Sequence, residues 1–331
     1  MAKKLLGFDL GGYQLKMAQV RGDQLIRYAV EQMPDNLVKE GHITSFNAMA
    51  DFIKDSVKKN RLACKECAMS LPADTYFLRR VKLPNMSMQQ LKVNLPFEFR
   101  DYVTGELSDY VYDYAVLGSD EEGLDIMAAA TSKATVTGYR TMLKRAGLKL
   151  VKLVPDVLGL QSILLPHPGQ HEGAGTAGEK GHDYAILDLG HTSTRIYFFS
   201  HGAYEITRTM DSGGPAMARA VAEEKGVDIH IAQLYLEHDQ DHVWDLPVMV
   251  DMYEEIVTEV SRVMNFYSYN NPNNNIENIY YIGGAVNPDK LAAGVKESIG
   301  LDVIPLYTLV PGGSSFPQVN LGPQAYGVVI E

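Results

Sequence analysis

Apolar residues fall in three short runs at residues 4–10, 14–20 and 24–30, separated by Gly11-Gly12 and by Arg21-Gly22-Asp23. Short runs joined by turn residues predict a meander of antiparallel strands. The period then changes. Phe46, Met49, Ala50, Ile53 and Val57 recur at helical spacing behind Ser45, which suits an N-cap. A strand is predicted at Cys67–Leu71 and another over 75–83, closed by Pro84. Ser87 opens a helix that meets Pro96 and continues with Phe97, Glu98 and Phe99. Strands Tyr110–Leu117 and Leu124–Ala130 flank a turn at 118–123. Helix Thr135–Ala146 ends at the C-cap Gly147, and strand Leu148–Val154 and helix Val157–Leu165 follow.

Residues 166–182 are Gly-rich and carry no periodic apolar position, so they read as a linker or surface loop. Beyond them the opening pattern returns. Strands are predicted at Tyr184–Leu189, Thr194–Ser200 and Ala203–Thr209, then helices at about 214–225, 229–238 and 247–270. Strand Asn278–Ile282, helix Pro288–Ile299, strand Asp302–Pro305 and a last helix near 321–329 complete the chain. The second half repeats the first, which predicts an α/β protein of two like lobes with a ligand cleft between them. Lobe one spans 1–165 and contains an inserted subdomain at about 72–130. Lobe two spans 183–331 and contains a helical subdomain at about 214–277.

Composition changes this picture little. The chain has 331 residues, 46% hydrophobic and 21% charged, which allows two ordinary cores. A net charge of −11 argues against a nucleic-acid partner held through phosphates. No run of about 18 apolar residues offers a membrane span. The N-terminus starts like a signal peptide, but Asp9 cuts its apolar run short. The two cysteines, Cys64 and Cys67, make no disulfide framework, so the cytosol is the expected compartment. With no second ligand pair for zinc, they read as small residues between a helix and a strand. His238 and His242 fall in a polar run with Asp239 and Asp241 that reads as a loop. Residues 270–275 read as a turn, and Tyr110, Tyr112 and Tyr114 read as one packed strand face.

The repeat extends to individual residues. Leu6 to Lys16 and Ile186 to Arg195 each run from an apolar strand into Asp-Leu-Gly, a polar turn and a second strand. That pattern suits a phosphate-binding hairpin. Gly11, Gly12 and Gly190 let backbone N–H groups approach phosphate oxygens, and the polar turn of the second hairpin holds Thr192, Ser193 and Thr194. Asp9 and Asp188, at the strand ends, suit Mg²⁺, and Lys16 offers a point charge to a phosphate. A third segment runs from Ile279 into Gly283 and Gly284 and then a helix, which suits close approach of a nucleotide.

In this order, the three segments resemble the two phosphate motifs and the adenosine motif of the actin, Hsp70 and sugar-kinase superfamily. The resemblance implies an actin-like ATPase fold of duplicated ribonuclease H-like lobes that binds ATP with Mg²⁺. It places Asp156 where the superfamily orients its attacking water, and helix N-capping is the other reading of the same residue. Within the superfamily the chain is most similar to the type IV pilus assembly protein PilM family, over nearly its whole length. Leu71 to Pro84 resembles the opening of that family's inserted subdomain, and 87–103 the helix after it. Ala146-Gly147-Leu148 resembles the end of the helix that returns to lobe one. The cell-division protein FtsA has a similarly placed insertion, but this chain stops at Glu331 without FtsA's basic amphipathic tail.

Departures from the superfamily pattern accompany the resemblance. Tyr13 and Gln14 stand where the first turn carries small hydroxyl residues, and Tyr13 could narrow the pocket. Ser212, Gly213 and Gly214 resemble the ribose loop, but Gln233 and Leu236 occupy the positions of a Glu–Lys adenosine clamp. Slow or absent hydrolysis is the expectation. The family resemblance implies a scaffold at the inner face of the cytoplasmic membrane. It would bind the cytoplasmic N-terminal tail of the inner-membrane protein PilN and connect it to pilus motor ATPases. The expected docking place lies between lobe one and the insertion, on the strand 75–83 with its basic Arg79, Arg80 and Lys82. A filament-forming FtsA-like protein and a small-molecule kinase are the competing readings. The kinase would need a base for in-line transfer, which the sequence does not identify.

Overall fold

A computed structural model describes residues 3–39, 41–165, 182–191, 193–210, 214–284 and 287–330. The predicted linker therefore lies outside the described residues, apart from His182.

The opening meander forms as β1 (Lys4–Leu10), β2 (Gln14–Arg21) and β3 (Gln24–Gln32). A two-residue ladder follows, β4 (Val38–Lys39) with β5 (His42–Ile43). Ser45 caps α1 (Phe46–Lys59) by accepting the Ala48 N–H. β6 (Glu66–Leu71) runs parallel to β1, and later β10 (Lys149–Pro155) runs parallel to β6, giving the sheet order β10-β6-β1-β2-β3. Alternation along β1 sends Leu6, Phe8 and Leu10 into a core with Met49, Ile53 and Leu143. Gly7 and Asp9 therefore lie on the other face. Cys67 is a buried residue of β6 itself, not of a connection, and burial, with Cys64 nearby, pushes its thiol up to about 12.

The insertion has its own core. β7 (Tyr76–Leu83), β8 (Tyr110–Ser119) and β9 (Leu124–Ser132) pair in the order β7-β9-β8. Leu83, Ile126 and Ala128 pack against Leu91, Leu95 and Phe99. The helix from Ser87 forms as α2 (Met88–Asn94) with a full capping box. It tightens into a 3-10 turn at Leu95–Phe99 because Pro96 has no N–H to continue the α ladder. Tyr112 and Tyr114 pack on this core, and Tyr110 meets Phe77. α3 (Lys133–Arg145) ends at Gly147, whose φ is +82°. α4 (Asp156–Leu164) follows β10 directly.

The second sheet repeats the first, with β11 (Tyr184–Leu189), β12 (Thr194–Ser200), β13 (Ala203–Met210), β14 (Asn278–Gly283) and β15 (Asp302–Pro305). Its order, β15-β14-β11-β12-β13, matches β10-β6-β1-β2-β3 strand for strand. Leu187, Leu189, Ile196 and Phe198 face a core with α5 (Gly214–Lys225), α6 (Ile229–His238), α7 (Pro247–Asn270) and α8 (Pro288–Ile299). α6 stops at His238 because Asp239, Asp241 and His242 take left-handed conformations, as a loop there requires. The last helix is shorter than expected. A 3-10 turn covers Pro317–Leu321, Gly322 and Pro323 interrupt it, and α9 spans only Gln324–Gly327.

Two compact units result. One holds residues up to Gly22, Ala29–Gly159 and Gln324–Val329. The other holds Asp23–Tyr28, Leu160–Pro323 and the residues from Ile330 onward. α9 closes the first unit by backbone contact. A Cβ on Gly7 would sit 1.7 Å from the Ala325 carbonyl oxygen, and one on Gly327 would sit 1.9 Å from that of Gly159. Only glycine allows such an approach. Among the described residues no helix is long and apolar enough to cross a membrane.

Candidate functional site

In the first unit β1, β6 and β10 are mutually parallel, so their carboxyl ends share one sheet edge, where open α/β sheets bind ligands. That edge brings Asp9, Ser70 and Asp156 together. Ser70 Oγ donates to Asp9 Oδ1 at 2.7 Å. Lys16, the ladder partner of Asp9, places Nζ 3.5 Å from Oδ2. Asp9 and Lys16 are each more than four-fifths buried, so their charges are weakly screened. The turn closes through Gly11 N–H donating to Gln14 O at 3.0 Å. Lys16 Nζ lies 2.9 Å from where a Gly11 Cβ would stand, whereas a Cβ on Gly12 would meet nothing within 4 Å. Tyr13 and Gln14 are half-buried in this turn.

Asp156 stands at the carboxyl end of β10, where the chain turns into α4. It is the first residue of α4, and its Oδ1 accepts the Val157 N–H at 2.7 Å. The same oxygen accepts the Tyr76 hydroxyl at 2.5 Å. Neither Ser70 nor Tyr76 stood out in the sequence. A polar residue inside the apolar run Cys67–Leu71 was the available signal for Ser70, which is 1% exposed.

In the second unit β11 and β14 are parallel, and Asp188, Gly190, Gly283 and Gly284 gather at their carboxyl ends. Asp188 faces away from the helical core, as Asp9 does, and Oδ2 accepts the Tyr197 hydroxyl at 3.3 Å. Its ladder partner is Arg195, where the first hairpin has Lys16. Thr194 is separated from Asp188. It pairs with Leu189 and so lies on the core face. It is fully buried, and its hydroxyl has no hydrogen-bond partner among the described residues. Ser193 is half-buried, and its carbonyl would stand 2.8 Å from a Cβ on Gly190. Gly283 has φ +89° and lies against the Leu189 backbone, and a Cβ on Gly284 would stand 2.6 Å from Leu321. Gly214 is buried at the start of α5. Thr192 and Gly213 lie outside the described residues. On α6, Gln233 and Leu236 are half-buried, and Leu236 packs against the core and supplies no charge to a clamp.

The insertion presents β7 as an edge strand, with β9 as its ladder partner. The basic residues expected of it are each engaged within the insertion. Arg80 makes a forked ion pair with Asp125, and Lys82 reaches Glu122 and Asp120. Arg79 donates to the Glu98 carbonyl and lies 4.0 Å from the centre of the Tyr102 ring. These cations have acidic or π partners within the insertion, so they are not free charges for selecting a tail.

Two like sheets, each bearing an Asp-Leu-Gly hairpin beside a parallel strand end, define the actin-like class of ATPase fold. A solved structure titled "PilM-PilN type IV pilus biogenesis complex" superposes with a TM-score of 0.78 at 21% identity, covering 99% of both chains. The ethanolamine utilization protein EutJ from Carboxydothermus hydrogenoformans superposes at 0.59 with 15% identity, covering 97% of this chain and 90% of its own. The family described as type IV pilus assembly protein PilM matches residues 7–307. The chain belongs to that family.

Proposed function

We propose that this chain is a nucleotide-regulated scaffold of type IV pilus assembly. It binds ATP with Mg²⁺ and receives the cytoplasmic N-terminal tail of a PilN-like inner-membrane protein, which holds it at the inner face of the cytoplasmic membrane. Pilus motor ATPases are its further contacts. The observation that carries the nucleotide reading is the matched pair of hairpins, each with a carboxylate at a strand end, a glycine turn and a cation across the ladder. Asp9 and Asp188 suit Mg²⁺, and Lys16 a phosphate. Leu236, half-buried against the core in place of a clamp cation, supports slow turnover. The partner reading is supported by the family and by a relative whose solved structure is named as a PilM–PilN complex. β7 offers an open edge for an extended peptide. The test is a pull-down from membranes with and without Mg-ATP, read by mass spectrometry. Recovery of a bitopic inner-membrane protein, changed by ATP, supports the proposal. Recovery of soluble proteins alone, in equal amounts under both conditions, refutes it.

A further inference from the structure

Seven residues of the first unit connect the nucleotide carboxylates to the insertion. Ser70, near the end of β6, donates to Asp9. The chain leaves β6 at Leu71 and makes one 3-10 turn over Ala73–Thr75, held by Thr75 Oγ1 donating to the Pro72 carbonyl at 2.7 Å. It enters β7 at Tyr76, whose hydroxyl reaches back to Asp156. Thr131 of β9 donates to the Thr75 carbonyl at 2.7 Å, so the turn is also tied to the insertion's sheet. One short segment thus grips both carboxylates through two hydroxyls, and its far end is the first residue of the edge strand.

We infer that Tyr76 is a positioning residue for Asp156 and couples the edge strand β7 to the nucleotide site. This rests on the nucleotide reading proposed above. The Asp156 carboxylate is held on Oδ1 by two donors, the Val157 N–H from its own helix and Tyr76 from the insertion. A ligand that draws on that carboxylate must redistribute these bonds. The hydroxyl of Tyr76 then moves with them, and the strand that carries it lies at one edge of the three-stranded sheet. By reciprocity, a peptide added to β7 shifts Tyr76 and so acts on Asp156. A hydrogen bond that merely staples the insertion to α4 would hold the strand equally with and without nucleotide.

Hydrogen–deuterium exchange of residues 76–83, with and without Mg-ATP, separates the two roles, with ATP binding measured by calorimetry on the same samples. In the parent chain, Mg-ATP changes exchange in β7 by about 5-fold or more. In Tyr76→Phe, which keeps the ring of a half-buried side chain, the β7 response is lost at ATP concentrations that calorimetry shows to saturate the variant. Tyr110→Phe removes a hydroxyl bonded to the Thr104 carbonyl in the same subdomain and keeps the response. Asp156→Asn tests the bond from its other end and reduces the response. An unchanged β7 response in Tyr76→Phe, or no response in a parent that binds ATP, overturns the coupling while leaving the nucleotide reading intact. A parent that binds no ATP overturns the nucleotide reading and the coupling with it.

Discussion

Replacing Gly283 by alanine tests whether the turn after β14 is built for close backbone approach. The residue sits at φ +89°, which costs an L side chain about 1–2 kcal/mol. The new Cβ would also lie 2.4 Å from the Leu189 carbonyl oxygen and 2.6 Å from its carbon. Restoring a contact of about 3.5 Å requires the strand ends to part by about 1 Å. That weakens one or two ladder hydrogen bonds at the Leu189–Gly283 pair, at about 0.5–1.5 kcal/mol each. The total is about 1.5–5 kcal/mol, or a fall of about 3–20 °C in the melting of a unit of this size. Calorimetric melting should show that fall. Because Leu189 leads into Gly190 and the second hairpin, titration calorimetry should show weaker ATP binding as well. Gly12→Ala is the control. Its Cβ has open space, so melting should move by less than about 0.5 kcal/mol. If Gly283→Ala melts within about 2 °C of the parent and binds ATP equally well, the argument from backbone approach is wrong.

Further predictions concern the same chemistry. Asp188→Ala should weaken ATP binding in calorimetry, and unchanged affinity in a folded variant would remove Asp188 from the site. Steady-state phosphate release should fall below the ordinary enzymatic range of about 1 to 1,000 per second, and a rate inside it would mean that Tyr13, Gln14 and Leu236 do not slow the chemistry. Hydrogen bonds from Lys149 and Lys3 hold Glu66 down to about 2 from its ordinary 4.5. Its contribution to stability is therefore complete above the ordinary carboxylate range and lost as pH falls through about 2. Carboxyl NMR should find Glu66 titrating near that value in the parent and returning toward 4.5 in a Lys3→Met, Lys149→Met variant. Because the group is exposed, concentrated salt should produce part of the same return.

What was legible in the sequence was what local chemistry decides. The Ser45 and Ser87 caps, the Gly147 stop and the bounds Pro288–Ile299 and Asp302–Pro305 all follow from turn residues and apolar period. The repeat was legible because two distant segments obey one strand-turn-strand pattern, and the matching sheet orders realise it. The contacts between distant segments were not. Ser70 lies 61 residues from Asp9, and Tyr76 lies 80 residues from Asp156, so no spacing rule connects them. The positive charge on Arg80 and Lys82 was plain, but their partners at 120–125 arrive only when β7 and β9 pair. Thr194 is six residues from Asp188 in sequence, but the ladder puts them on opposite faces. The last helix was overextended because its apolar residues are buried by 3-10 turns and close packing as well as by α-helix.

The glycine contacts that seat α9 against β1 and α4 also bear on the order of biosynthesis. The unit that begins at the first strand needs Gln324–Val329, which the ribosome makes long after Gly159. Until those residues emerge, the bare backbone at Gly7 and Gly159 has no cover, and the nascent chain carries an incomplete first unit through the synthesis of nearly all of the second. The first unit therefore cannot be completed before most of the second has been synthesised. A stalled nascent chain ending before residue 324 should be more protease-sensitive around β1 and α4 than the full chain, and equal resistance there would show that α9 is not needed.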